Sequence, residues 1–465
     1  MGSVTVGRFD VKKIAIIGAG PCGLAAAKYL RAQNAFESIV IFEQQDEVGG
    51  VWNYTSRTPA PYPVPQQDPF LAPDAPLPGR DGRPPIFPSP MYEKLHANIP
   101  GRLMNFSDKK FPPGVWAFPS RETIQEYLVE YAQDLRGLIK FCFQVCNISA
   151  APRDGKDKWL LEARSTVSGE TVKDTFDAVV IANGHYATPS IPGIKNITEF
   201  NQAHPSIISH SKQYRTPDPF KDKKVIVVGN GPSGVDIALQ INSVCRQPAL
   251  LSVREPTPAE RLEHTGCREV PEIVEFIPNQ RGVKFADGTV ETDIDAIVFC
   301  TGFLFSYPFL PDLRHKLITS GKGVHGLYKH FLCIDHPTLA FPSLNMKAIP
   351  WPVAEAQAAV YSALWSNKLD LPSTEEMKQW SADLEEIKGE ALHVLSPQED
   401  GHYINEMHDW AAKAKHLGKE PPRWDDETFW ARKVYAEAKL RFEKQGCKAK
   451  TLGELGLHYQ PEEGK

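Results

Sequence analysis

The sequence predicts an α/β protein built on two parallel β–α–β units, the second inserted into the first. Two glycine fingerprints about two hundred residues apart carry the prediction. The first reads Ile14-Ala-Ile-Ile-Gly18-Ala-Gly20-Pro-Cys-Gly23, and the second reads Val225-Ile-Val-Val-Gly229-Asn-Gly231-Pro-Ser-Gly234. Each follows an apolar, β-branched run of the kind that forms a buried parallel strand. Each opens a helix-like stretch, Leu24 to Gln33 and Val235 to Asn242. The third observation is a second strand after each motif, ending at Glu43 in one case and at Arg254 in the other.

Strand, glycine turn and helix together form a Rossmann-like dinucleotide site. Gly18 permits the tight turn, Gly20 lets a pyrophosphate approach the backbone, and Gly23 lets helix and sheet pack closely. Gly229, Gly231 and Gly234 take the same roles. The free N–H groups and positive dipole end of each helix face the phosphates. Two such sites in one chain point to two dinucleotides held at once, with electrons passing between them.

The strand Ser38-Ile-Val-Ile-Phe-Glu43 places an acid where an adenosine ribose offers its hydroxyls. The strand Ala249-Leu-Leu-Ser-Val-Arg254 ends instead in a cation, with Ser252 nearby. A guanidinium takes a 2′-phosphate in bidentate fashion, whereas a carboxylate repels it. The second site therefore favours NADP(H), the alternative for Arg254 being a solvated strand end beside Glu255.

After Glu43 the chain continues to Val48-Gly49-Gly50-Val51-Trp52. Acid, spacer, glycine pair and tryptophan resemble the FAD half of the flavin-containing monooxygenase family. Asp177-Ala-Val-Val-Ile-Ala-Asn-Gly184-His185-Tyr186, with Pro189 and Pro192, resembles that family's first crossover. Asp295-Ala-Ile-Val-Phe-Cys-Thr301-Gly302-Phe303 resembles its second. Between them, His210-Ser-Lys-Gln-Tyr214-Arg215 is similar to the FxGxxxHxxxY signature, although His204 and Ser206 occupy its Phe and Gly positions. Baeyer–Villiger relatives usually carry Trp-Pro where this chain has Tyr214-Arg215.

The resemblance implies FAD and NADPH as cofactors. It implies hydride transfer to the flavin, capture of O₂ as a C4a-(hydro)peroxyflavin, and oxygenation of a soft sulfur or nitrogen nucleophile. Binding, orientation and exclusion of water are then the protein's share. The glycines Gly18, Gly20, Gly23 and Gly50, with Glu43 and Trp52, fall to FAD. Gly229, Gly231, Gly234, Arg254, Thr301 and Gly302 fall to NADPH and the crossover.

Three residues are candidates at the chemistry. Asn98, in Tyr92-Glu-Lys-Leu-His-Ala-Asn98-Ile-Pro100, is by position alone a turn residue ahead of a proline. The resemblance instead puts it beside the flavin, where an amide donates and accepts without carrying charge. Glu355-Ala-Gln357, after Pro350-Trp351-Pro352, resembles a helix start near the flavin ring. Glu355 reads equally as an acid stabilised by the helix dipole. His210 either orients the cofactor or is a loop histidine.

Composition narrows the class. The chain has 465 residues, 42% hydrophobic and 23% charged, with a net charge of −5. That is enough for two domains and gives no basic surface for nucleic acid. No apolar run reaches transmembrane length, the N-terminus lacks a basic and apolar leader, and the chain ends Pro461-Glu-Glu-Gly-Lys465. The expectation is a cytoplasmic protein without a membrane anchor, acting on a small molecule and O₂; a homodimer is one assembly open to it. Eight cysteines include no C-x-x-C pair, which disfavours a disulfide reductase and gives no metal site. Cys142 and Cys146, four apart, suit one helix face.

The expected boundaries are 1–188 for the first part of the FAD domain, 189–302 for the NADPH domain, and 303–465 for the rest of the FAD domain with a helical C-terminal region. Thr58 to Pro90 is proline-dense and reads as a surface insertion or a cover over the substrate entrance. Ser120 reads as a helix N-cap, Lys140 to Phe176 as an antiparallel meander, and Gly288 as a hairpin turn. Asp425 to Lys444 reads as a surface helix with solvated charges. A ketone-oxidising Baeyer–Villiger enzyme and a non-oxygenating FAD/NADPH redox sensor are the competing functions.

Overall fold

The first apolar run forms the strand Lys13–Ile17, which pairs in parallel with Ser38–Phe42 on one side and Ala178–Ile181 on the other. The computed structural model describes residues 9–79, 82–151 and 156–461, so the readings on the leader and the last four residues lie outside it. The buried β-branched side chains of these strands suit a sheet covered on both faces. Seven strands make up this sheet, in the order Leu327–Tyr328, Leu332–Cys333, Leu339–Ala340, Ala178–Ile181, Lys13–Ile17, Ser38–Phe42 and Ile139–Lys140.

The chain leaves this sheet after Ile181 and rejoins it at Leu327. Between the two it builds a parallel five-stranded sheet, in the order Arg268–Pro271, Leu250–Val253, Val225–Val228, Ala296–Phe299 and Ile208–His210. The second dinucleotide unit is thus inserted into the first. Thr188–Pro189 and Phe303–Leu304 form an antiparallel ribbon where the chain passes out and back.

The helices after the glycine turns begin at Pro21 and Pro232, three residues earlier than the sequence suggested. Proline is suited to the first helical position, where its fixed φ is correct and its missing N–H costs nothing. Ser120 caps Arg121–Tyr131 by accepting from the Thr123 N–H. The meander is present as Phe143–Ala150, Trp159–Ser165 and Thr171–Phe176. Gly288 turns the hairpin between Gly282–Phe285 and Val290–Glu291. Cys142 and Cys146 do not share a helix face, because they sit just before and within the strand Phe143–Ala150.

The helix Pro350–Trp365 is buried from Trp351 onward, packed against Pro21–Ala32 and Glu399–Ala411. The C-terminal helix spans Asp426–Lys444; Asp426, Lys433, Glu437 and Lys444 are exposed as expected, but the expectation of solvated charges fails at Arg432, Lys439 and Glu443. Arg432 and Lys439 are 7% and 5% exposed. Arg432 pairs with Asp400 at 2.8 Å, and Glu443, its side chain 7% exposed, takes Arg261 at 3.0 Å. Amphipathic periodicity does not reveal these charges, because their partners are distant in sequence and burial follows pairing.

Candidate dinucleotide sites and crossover

Both glycine turns sit at the carboxyl ends of parallel strands, where open α/β sheets bind ligands. They match bond for bond. The Gly18 N–H donates to Phe42 O and the Gly229 N–H to Ser252 O, each at 2.8 Å; the Leu24 N–H donates to Gly20 O and the Val235 N–H to Gly231 O, each at 3.0 Å. A Cβ on Gly23 would fall 1.9 Å from Gly18 O, and one on Gly234 would fall 1.9 Å from Gly229 O. The third glycine of each motif is thus required by closure of the turn. Gly231 faces open space, and Gly20 faces the backbone of Gly50, whose N-terminal neighbour Gly49 donates its N–H to Ala19 O at 3.0 Å.

Glu43 is buried, and its carboxylate accepts from the Ala19 N–H at 2.8 Å and the Gln45 N–H at 2.9 Å. Burial pushes this carboxyl above the ordinary range, and the N–H donors pull against that shift. Trp52 closes the short turn Gly50–Trp52 against the first core. Gln125 holds the segment by donating to Val48 O at 2.7 Å and to Asn53 Oδ1 at 3.0 Å. In the second unit Arg254 projects into solvent, 80% exposed, with Glu272 at 3.9 Å. The loop beyond it is fixed by Asn230, which donates to Glu255 O at 2.9 Å and Thr257 Oγ1 at 3.0 Å.

The crossover gathers Thr301, Gly302 and His210. Thr301 Oγ1 donates to Ser190 O. Gly302 O accepts from the Ser190 N–H at 3.0 Å and pairs with His210 Nε2 at 3.0 Å, while His210 Nδ1 accepts from the Lys212 N–H at 3.1 Å. Both ring nitrogens are committed to backbone, and burial lowers the imidazole to about 4. His210 is therefore a neutral Nε2–H tautomer near pH 7.

The proline-dense segment is strapped to the same place. Buried Arg215 donates to the carbonyls of Arg57 at 3.2 Å and Ser89 at 3.1 Å, at the two ends of the segment. Lys212 pairs with Asp74 in its middle at 2.6 Å. Gln66 bridges to Ile191, and Ser306 Oγ donates to Pro69 O at 2.6 Å. The position where relatives carry Trp-Pro thus holds a clasp. Nothing in the local sequence signals it, because the two strap carbonyls that Arg215 holds lie more than a hundred residues away.

Asn98 lies in the bend before the short helix Gly101–Met104, half-buried, and its amide makes no hydrogen bond among the described residues. Gln357 differs: it is fully buried, its Oε1 accepts from the Ser343 N–H at 2.7 Å, and its Nε2 donates to Tyr403 OH at 2.8 Å and Asn345 Oδ1 at 3.2 Å. Glu355 stands beyond the first turn of its helix and owes little to the dipole. It accepts from the Ser107 N–H and Oγ at 2.8 and 2.7 Å and pairs with Lys419 at 3.4 Å.

The sequence profile of the family described as flavin-binding monooxygenase-like matches residues 81–267 and 265–421. The chain belongs to this flavin-binding monooxygenase family. An NAD(P)-binding Rossmann-like profile also matches residues 16–66. The monooxygenase is 31% identical over 381 residues to flavin-containing monooxygenase FMO GS-OX-like 9 of Arabidopsis thaliana, covering 79% of this chain and 78% of that one. It is 31% identical over 380 residues to the thiol-specific monooxygenase of Saccharomyces cerevisiae, covering 78% and 79%. Its fold matches the S-allyl-L-cysteine S-oxygenase of Allium sativum with a TM-score of 0.77 at 24% identity, over 97% and 98% of the two chains.

The monooxygenase uses FAD and NADPH, and its residues fit both. The first unit offers a buried acid beside a turn where two glycine backbones face each other; the second offers an open glycine turn and an exposed guanidinium. Among the described residues no helix is long and apolar enough to cross a membrane, and no three metal-ligating side chains stand together.

Proposed function

We propose that this monooxygenase oxygenates a soft sulfur or nitrogen nucleophile of a small cytoplasmic molecule, sulfur being the better candidate. When bound, NADPH supplies the hydride and reduced FAD supplies the activated oxygen. The Gly18–Gly23 turn and Gly50 cradle the FAD pyrophosphate, Glu43 accepts the ribose hydroxyls, and Trp52 closes that end. The Gly229–Gly234 turn holds the NADPH pyrophosphate and Arg254 takes the 2′-phosphate. Asn98 turns an uncharged amide toward the reacting oxygen. His210, with Thr301 and Gly302, sets the crossover between the two units. Gln357 stiffens the 343–345 loop, and the strap from Arg57 to Ser89 keeps water from the cleft.

The observation that carries this reading is the pairing of two differently charged dinucleotide sites with thiols unsuited to disulfide chemistry. All eight cysteines are free, and burial pushes the Cys22 thiol, inside the first motif, up to about 11. With no C-x-x-C pair in the chain, these thiols do not supply the redox couple that a disulfide reductase needs. The thiol specificity of the yeast relative supports sulfur, and Tyr214-Arg215 in place of Trp-Pro disfavours Baeyer–Villiger chemistry. Product analysis with a thioether, a thiol, a tertiary amine and a cyclic ketone tests it. Sulfoxide, sulfenic-acid-derived or N-oxide products are expected; ester from the ketone alone would reverse the reading.

A further inference from the structure

Lys439 donates from the C-terminal helix to the carbonyl of Ala97 at 3.0 Å, across 342 residues of sequence. Ala97 immediately precedes Asn98. The Ala97 N–H donates to Pro119 O at 2.8 Å, so both backbone groups of Ala97 are fixed, and the Gly101 N–H is fixed on Ala117 O at 2.9 Å. The turn is held on both sides of Asn98, whose amide is left without a hydrogen bond among the described residues.

The lysine is expensively placed. Its ammonium lies 5.3 Å from the Phe118 ring and 5.7 Å from the Phe442 ring, with Glu443 as counter-ion at 3.5 Å. A methionine would fill that apolar space, but it would also take this counter-ion from Glu443, and removing one partner of a buried pair is destabilising. Apolar packing alone does not call for a lysine here; the Glu443 carboxylate, the two ring faces and the Ala97 carbonyl together do, and of these only the carbonyl belongs to the segment carrying Asn98.

The same charge reaches the second unit. Glu443 also takes Arg261 at 3.0 Å, on the helix Ala259–Thr265. Tyr92, six residues before Asn98, donates to Asp236 on the helix Pro232–Asn242 that follows the second glycine turn, and Gln240 donates to the same carboxylate at 3.1 Å. The segment carrying Asn98 is thus tied to the NADPH-binding unit at two points.

We propose that Lys439 is a positioning residue for Asn98: it fixes the Ala97 carbonyl, and so the direction of the Asn98 amide, and through Glu443 ties that direction to the NADPH-binding unit. This rests on the role given to Asn98 above. The test is a double-mutant cycle on the FAD-loaded full chain with Asn98→Ala, Lys439→Met and both, reading product formed per NADPH consumed. Flavin content and Tm are measured on each variant. Lys439→Met should retain FAD and flavin reduction by NADPH within about twofold, yet lower the product ratio about three- to fivefold; in the Asn98→Ala background it should add almost nothing. Lys439→Arg, which keeps the charge but displaces the donor, should fall between wild type and Lys439→Met, and replaces the latter in the cycle if that variant loses FAD. An unchanged ratio in Lys439→Met while Asn98→Ala uncouples, or losses that multiply in the double variant, would overturn the proposal. An unchanged ratio in Asn98→Ala would instead remove Asn98 from the chemistry, and this role of Lys439 with it.

Discussion

Gly20 and Gly50 meet backbone to backbone: a Cβ on Gly20 would stand 3.6 Å from Gly50 Cα, and one on Gly50 would stand 3.1 Å from Gly20 Cα. The first distance is ordinary van der Waals contact, so Gly20→Ala should fold. The added methyl nonetheless occupies the approach to the turn. We predict a folded, colourless protein whose FAD affinity falls by at least about tenfold, roughly 1.4 kcal/mol. The flavin absorbance of the purified variant checks it; wild-type FAD content would place the pyrophosphate elsewhere.

Arg254 is 80% exposed and its nearest carboxylate, on Glu272, is 3.9 Å away. The guanidinium is therefore free to engage a phosphate. Arg254→Ala should raise KM for NADPH by about ten- to a hundredfold, on the order of 1.5–3 kcal/mol for charge-assisted hydrogen bonds. KM for NADH should barely move. A preserved NADPH/NADH ratio would count against Arg254 as the phosphate residue.

Asn98→Asp replaces a neutral amide by a carboxylate at nearly constant volume. Flavin reduction by NADPH should remain within about twofold, while coupling drops at least severalfold and hydrogen peroxide appears, because the neutral amide donor at the reacting oxygen is lost. Peroxide and product are measured together, and undiminished coupling would leave Asn98 as a turn residue only.

His210 supplies a pH prediction. Its folded value of about 4 lies below the ordinary 6.5, so the unfolded chain binds more protons between the two. Stability is thus complete above about pH 6.5 and is lost as pH falls toward 4, by about 3 kcal/mol from this residue. His330, also lowered to about 4 by burial, adds to the same window. In urea denaturation series, His210→Gln should be less stable near neutrality and should lose less stability on acidification. A slope equal to that of wild type would mean that His210 does not titrate as a buried neutral imidazole.

The features legible in the sequence are those fixed by short-range chemistry. Gly23 and Gly234 are dictated by a carbonyl five residues earlier, Ser120 by an N–H three residues later, and Gly288 by its own turn. The motifs also placed the two β–α–β units, because strand, turn and helix are contiguous. What the sequence concealed lies in pairings across the whole chain. Lys439 looks like one of many helix-surface lysines until Ala97 is found opposite it, and Arg215 looks like a loop cation until the carbonyls of Arg57 and Ser89 converge on it. Gln357 shows the reverse: the segment lies in a helix that starts at Pro350, as the sequence suggests, but the amide is spent on Ser343, Asn345 and Tyr403.

The most direct test of the central claim is rapid mixing of the NADPH-reduced, FAD-loaded enzyme with O₂, with a thioether, a thiol, a tertiary amine or a cyclic ketone present in turn. Reoxidation of the flavin should be slow alone and should accelerate with the sulfur or nitrogen nucleophile, yielding close to one oxygenated product per NADPH. Flavin that reoxidises at one rate regardless of nucleophile and releases only peroxide would contradict it.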